Sequence, residues 1–141
     1  MKFPVPIPFA EHLGFELTHY AGGEARIECT LRAELVNSRA QAHGGVVMTL
    51  LDVVMAHAAS SPDTPGDPPR SAVATIEMKT AFMRPGTGRL RAHGKVLHRT
   101  RSMAFCSADI YDEANQHVAH GSGTFKQFPK VPAAESTPAA G

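Results

Sequence analysis

The run VVMTLLDVVMAHAA, Val46 to Ala59, constrains this chain more than any other. It has no Gly, no Pro and no polar alternation, so it predicts a helix from about Gly44 to about Ser60. Apolar side chains take up nearly the whole circumference, which marks a helix wrapped by protein on most sides. The run is too short to span a bilayer and carries Asp52 and His57. The wrapping must come from the rest of the chain.

The flanking sequence supplies strands. From Phe15 to Leu35 two runs flank Gly22-Gly23, and Ala25, Ile27, Cys29 and Leu31 alternate with Arg26, Glu28, Thr30 and Arg32, which predicts a β-hairpin with one buried face. Four more strand-like runs lie near 71–83, 88–99, 102–112 and 117–126, with turns short enough for antiparallel neighbours. Phe9 to Leu13 reads as a short helix stopped by Gly14, and 60–70, with Pro62, Pro65, Pro68 and Pro69, as a loop. The expected fold is therefore α+β: one long buried helix wrapped by a curved antiparallel sheet of about six strands. Residues 1–8 read as an extended arm, 9–128 as the folded domain and 129–141 as a disordered tail.

With 141 residues, 43% of them apolar, the chain fits one domain that needs no staples. Lys and Arg number 14 against 13 Asp and Glu, without a dense basic block, so no nucleic-acid partner is expected. Cys29 and Cys106 are too few and too far apart for a disulfide framework or a zinc module, which fits a reducing compartment; no metal is expected. Pro4, Pro6 and Pro8 break the N-terminal run, so it is no signal peptide. A soluble cytoplasmic protein with no membrane partner is the expectation.

Candidate chemistry gathers around the long helix. His43-Gly44-Gly45 falls at its start, where free amide hydrogens and a positive dipole can hold a polarised carbonyl oxygen and two glycines let a ligand approach; the same glycines also suit a loop-to-helix junction. Asp52 is the only carboxylate between Glu34 and Asp63 and sits two turns into the most apolar segment, where desolvation is costly. It reads as a base or nucleophile ahead of a structural Asp. His57 lies about 140° around the helix from Asp52, so the two do not form a dyad. His117 and His120 have a spacing that puts them on opposite strand faces, away from any metal site. No nucleophile elbow, phosphate-binding loop or dinucleotide fingerprint occurs.

Asn37, then HGGVVMTLLD from His43 to Asp52, then Phe82-Met83-Arg84-Pro85 after the next strand, resemble the pattern of the hot dog fold acyl-CoA thioesterases of the PaaI-like phenylacetic acid degradation family. The resemblance covers roughly residues 15–128. It implies that Asp52 is the catalytic carboxylate, that the Gly44 N–H meets the thioester oxygen, that Asn37 and His43 shape that pocket, and that Thr75 orients the attacking water. Period-two alternation, however, groups Thr75 with Glu77 and Lys79, away from the apolar layer.

Hydrolysis of a thioester needs donors for the developing oxyanion and a group to deprotonate or replace water. Gly44 and Asp52 supply both, yet lie ~12 Å apart along one helix, so a site made from Gly44 of one chain and Asp52 of another is expected. The resemblance implies the same homodimer with shared sites, assembled further into a homotetramer, and needs no cofactor beyond the coenzyme A of the substrate. Gly45, Met48, Leu51, Met55 and Arg84 are expected to contact an aryl-acetyl or medium-chain acyl-CoA. Arg84, Arg89, Arg91, Arg99 and Arg101 are candidates for the phosphates, although each also reads as a solvated strand end or turn. A hot dog enoyl-CoA hydratase or dehydratase, and a non-enzymatic acyl-CoA binding protein, are the alternatives; the hydratases' Asp-X-Asn-Pro-X-His loop is absent, and a pure binder gains nothing from a buried carboxylate.

Overall fold

The computed structural model describes residues 1–128. The expected disordered tail, 129–141, lies outside the described residues. A short helix, α1 (Pro8–His12), leads into β1 (Glu16–Ala21) and β2 (Glu24–Thr30); the long helix α2 (Gly44–Ser60) follows, then β3 (Ala72–Phe82), β4 (Arg89–Arg99), β5 (Met103–Tyr111) and β6 (His117–Phe128). All six strands form one antiparallel sheet in the order β1-β2-β4-β5-β6-β3. It curves around α2, as the hot dog architecture requires.

Helix α2 begins where His43, in an extended conformation, turns its ring back so that Nδ1 accepts the Gly45 N–H at 2.8 Å. It ends at Ser61, whose hydroxyl returns to the Ala58 carbonyl at 2.8 Å, just before Pro62. Leu50, Leu51, Val54 and Met55 are fully buried against Leu17, Ile27, Leu90, Ile110 and Phe125. The sheet admits the helix closely because it presents glycines there. A Cβ on Gly94 would stand 2.7 Å from the Val54 carbonyl oxygen, and one on Gly123 would stand 3.2 Å from Met55 Cε.

The helix backbone cannot yield as a flexible side chain would. Gly94→Ala is therefore expected to cost about 3 kcal/mol through overpacking and to lower the thermal midpoint by on the order of 10 °C, read by calorimetry. An unchanged midpoint would show that helix and sheet can separate without penalty.

The helix is covered on most sides, as expected, but one stripe stays open. Gly45, Met48, Thr49, Asp52, Val53 and Ala56 form a stripe at helical spacing that the chain's own sheet leaves uncovered or partly covered. An apolar residue waiting for another surface looks the same in sequence as one already buried.

The N-terminal arm is seated against the fold. The Met1 ammonium donates to the Leu17 carbonyl at 3.0 Å, and the Phe3 ring lies 5.0 Å from that of His57. Loop 60–70 is pinned near both ends, by Gly23 N–H to Ser61 Oγ at 2.9 Å and Arg70 N–H to the Ser60 carbonyl at 3.0 Å.

Candidate active site

Strand bulges redirect side chains of the sheet. In the β3–β6 ladder Thr75 pairs with Phe125 and Glu77 with Thr124, so Ile76 is an extra residue and alternation reverses there. Val73 and Thr75 face the helix before it, and Met78 packs toward the core after it. The expected grouping of Thr75 with Glu77 is thereby overturned. Thr75 Oγ1 donates to Asp52 Oδ1 at 2.6 Å.

Asp52 is half-buried on the open stripe of α2, not enclosed in the core as its neighbours suggested. One of its carboxylate oxygens is held by Thr75, which leaves the other able to take a proton from water. His57 points elsewhere: its Nδ1–H donates to the Val53 carbonyl at 2.7 Å, between the rings of Phe3 and Tyr20. Burial holds its pKa below the ordinary histidine value. Neither cysteine is a nucleophile candidate, because both thiols are buried and burial pushes that of Cys106 up to about 11.

At the start of α2, a groove of about 420 Å³ brings together Asn37, Gly44, Phe82, Met83 and Arg84. The Gly45 N–H is occupied by His43, so of the two glycines only Gly44 presents an amide hydrogen without an acceptor among the described residues. Gly45 thus serves the cap, since a Cβ there would stand 3.0 Å from His43 Nδ1. His43, expected to shape the pocket, is an exposed N-cap. Asn37 turns the loop before the helix, with Oδ1 accepting from Arg39 N–H at 2.9 Å and Gln41 N–H at 3.2 Å. Arg84 rests on the His117 carbonyl at 3.4 Å.

Two expected lining residues belong to the core instead. Leu51 and Met55 are fully buried against the sheet, at Gly121 and Gly123, whereas Met48 is 41% exposed on the open stripe. Phe82, 57% exposed, replaces them as an apolar wall: its Cε1 would lie 3.4 Å from a Cβ on Gly44.

A second bulge corrects the placement of His117 and His120. Ile110 pairs with Ala119 but Tyr111 with His117, so Val118 is extra and both histidines reach Asp109 Oδ1 at 2.8 Å on one face. Burial opposes the Asp109 charge, but the bonds from His120 and His117 outweigh it and hold that carboxyl below its usual range. Among the described residues no set of three or more ligating side chains is arranged to hold a metal ion. Asp112, the one fully buried carboxylate among the described residues, is structural: it accepts the Gln116 N–H at 2.9 Å and closes the β5–β6 turn.

A single helix under a curved sheet, with a hydroxyl-oriented carboxylate on its open face and a free amide at its start, defines a class: the hot dog thioester hydrolases. The thioesterase superfamily model matches residues 41–119, more than half of the chain, and the protein belongs to that family. A Halobacterium salinarum protein named provisionally as an esterase is 30% identical over 125 residues, covering 82% of each chain. Among solved structures, a conserved protein of Pseudomonas aeruginosa superposes with a TM-score of 0.80 at 28% identity, covering 89% of this chain and 97% of that one. The phenylacetic acid degradation protein PaaI of Thermus thermophilus, in a mutant form, gives a TM-score of 0.74 at 28% identity, covering 86% and 100%.

Proposed function

We propose that the chain hydrolyses an acyl-CoA thioester to free acid and coenzyme A, with Asp52 acting on the attacking water. The observation that carries this reading is the 2.6 Å bond from Thr75 to Asp52 on the open face of α2. It holds one carboxylate oxygen and leaves the other without a partner among the described residues, free to act as a general base. The Gly44 N–H, at the positive end of the helix dipole, is the donor for the carbonyl oxygen.

Both groups lie on one helix, ~12 Å apart by its rise, so Asp52 is completed by Gly44 of a second copy. Two features support that dimer. Strand β3 is an 11-residue sheet edge with Ile76 and Phe82 more than half exposed, and the open stripe of α2 carries Met48, Val53 and Ala56. A two-fold axis beside them would cover both, and association of such dimers would give a tetramer.

Phe82, Met83 and Met48 offer a soft apolar wall suited to an aryl-acetyl or medium-chain acyl group. The chemistry needs no metal and no cofactor. Two buried unpaired thiols support a reducing, cytoplasmic setting, and no helix among the described residues is long and apolar enough to cross a membrane. The hydratase alternative loses support because His57 is turned into the core, away from Asp52.

The test is thiol release from a panel of acyl-CoAs, run beside an enoyl-CoA hydration assay. Saturable thiol release is expected, with no hydration. Hydration without thiol release would transfer the assignment to the hydratases, and binding without either reaction would make the chain a binding protein.

A further inference from the structure

The N-terminal arm, which the proposed reaction does not use, reaches the C-terminal half of α2. Of residues 1–7 only Phe3 and Ile7 turn inward, while Val5 is 63% exposed. Pro4 and Pro6 fix φ on either side of Val5 and reduce the entropy that the arm gives up on seating. With the Met1 ammonium anchored on the Leu17 carbonyl at 3.0 Å, the Phe3 ring sits 5.0 Å from that of His57. His57 is itself fixed: the Val53 carbonyl holds its Nδ1–H at 2.7 Å, and Tyr20, bonded to the Ser60 carbonyl at 3.0 Å, lies against it. Phe3 therefore rests on a rigid seat.

Along the open stripe the side chains shrink beyond Asp52. Met48 lies on its N-terminal side, whereas Val53 and Ala56, small and only partly covered, follow it in the direction of His57 and Phe3. The dimer proposed above points the same way. Asp52 of one copy is level with Gly44 of the other, and by symmetry the reverse holds as well, so the two helices run antiparallel. What precedes Gly44 in the second copy then runs on past residues 53–60 of the first. The groove at that helix start, walled by Phe82 and Met83, opens toward Val53 and Ala56.

We propose that Phe3 is the end wall of the acyl slot and sets the length of acyl group accepted, an inference that rests on the acyl-CoA reading above. The spacing gives that length. From Asp52 to His57 the helix rises ~7.5 Å, and an extended chain advances roughly 1.2 Å per bond, so the slot holds about six carbons beyond the thioester carbonyl. A straight acyl chain of about six to eight carbons fills it, and so does an arylacetyl group, which is shorter but wider. A longer chain runs into the Phe3 ring, and an extra methylene against a seat that cannot yield is refused.

The test is a chain-length profile, from butyryl-CoA to tetradecanoyl-CoA, of the full chain and of Phe3→Ala and Phe3→Trp, with the thermal midpoint reporting that the fold persists. One methylene accepted or refused by an apolar pocket changes kcat/KM roughly 10–200-fold. Phe3→Ala should therefore raise the decanoyl-to-hexanoyl ratio of kcat/KM about tenfold or more, and Phe3→Trp should lower the octanoyl-to-butyryl ratio by on the order of tenfold. Thioether analogues, which bind but cannot be cleaved, should show the same shifts in Kd. A loss equal at every length, as a merely structural strap would give, or an unchanged profile in both variants would overturn the proposal. If the wild type releases no thiol at any length the hydrolase reading falls; a Kd profile that Phe3→Ala extends to longer chains would still uphold the end wall, and one that it leaves in place would sink it.

Discussion

Replacing Asp52 by Asn is expected to lower kcat/KM for acyl-CoA hydrolysis by roughly 10²–10⁴-fold, the range for loss of a positioned general base. The fold should persist, because Asp52 is half-buried on the open stripe of α2 and the Asn carbonyl can still accept from Thr75. The thermal midpoint and the Kd for a non-hydrolysable acyl-CoA analogue are the controls. A variant with near wild-type turnover would remove Asp52 from the chemistry. Single turnover in oxygen-18 water bears on the two routes open to this carboxylate: label found in Asp52 shows a mixed anhydride opened at the Asp52 carbonyl carbon, and hence a nucleophile, whereas a base sends label only to the released acid.

The parts of the candidate site legible in the sequence are those carried by residue type. Asp52 stood out because a carboxylate has a reason to sit in an apolar helix only if it does something there. Gly44 stood out because a glycine at a helix start opens the backbone. The long helix and the four later strands follow from periodicity, and their ends agree with the structure to within about two residues, whereas the hairpin, expected to reach Leu35, ends at Thr30.

What stayed hidden was direction. The bulges at Ile76, Leu97 and Val118 each insert one residue into a ladder and reverse alternation beyond it. None has a Gly, Pro or Asn to announce it. Yet they aim Thr75 at Asp52, Arg99 at the Ala59 carbonyl, and His117 onto the same Asp109 as His120. The second hidden feature was which face of α2 the sheet leaves open. Leu51 and Met48 are both large apolar residues on one helix, and only the packing of Gly121 against Leu51 tells the covered face from the open one.

The open face makes the strongest claim about assembly, and Gly44→Pro tests it. Gly44 is the first residue of α2, where Pro is tolerated because no intrahelical bond uses that N–H. The preceding His43 has φ −61° and ψ 137°, an extended conformation compatible with a following Pro. The substitution therefore deletes one donor and leaves the helix in place, and a loss of 10²–10³-fold in kcat is expected, as for removal of an oxyanion donor. When this variant is mixed with Asp52→Asn and subunits exchange, a mixed dimer holds one site with Asp52 from one chain and Gly44 from the other, both intact. Random exchange of equal amounts makes about half the dimers mixed, with one good site of two, so about a quarter of wild-type activity should return. If co-purification of differently tagged chains shows exchange and activity stays absent, Gly44 and Asp52 act within one chain. The ~12 Å of helix between them would then have to be bridged by the substrate itself.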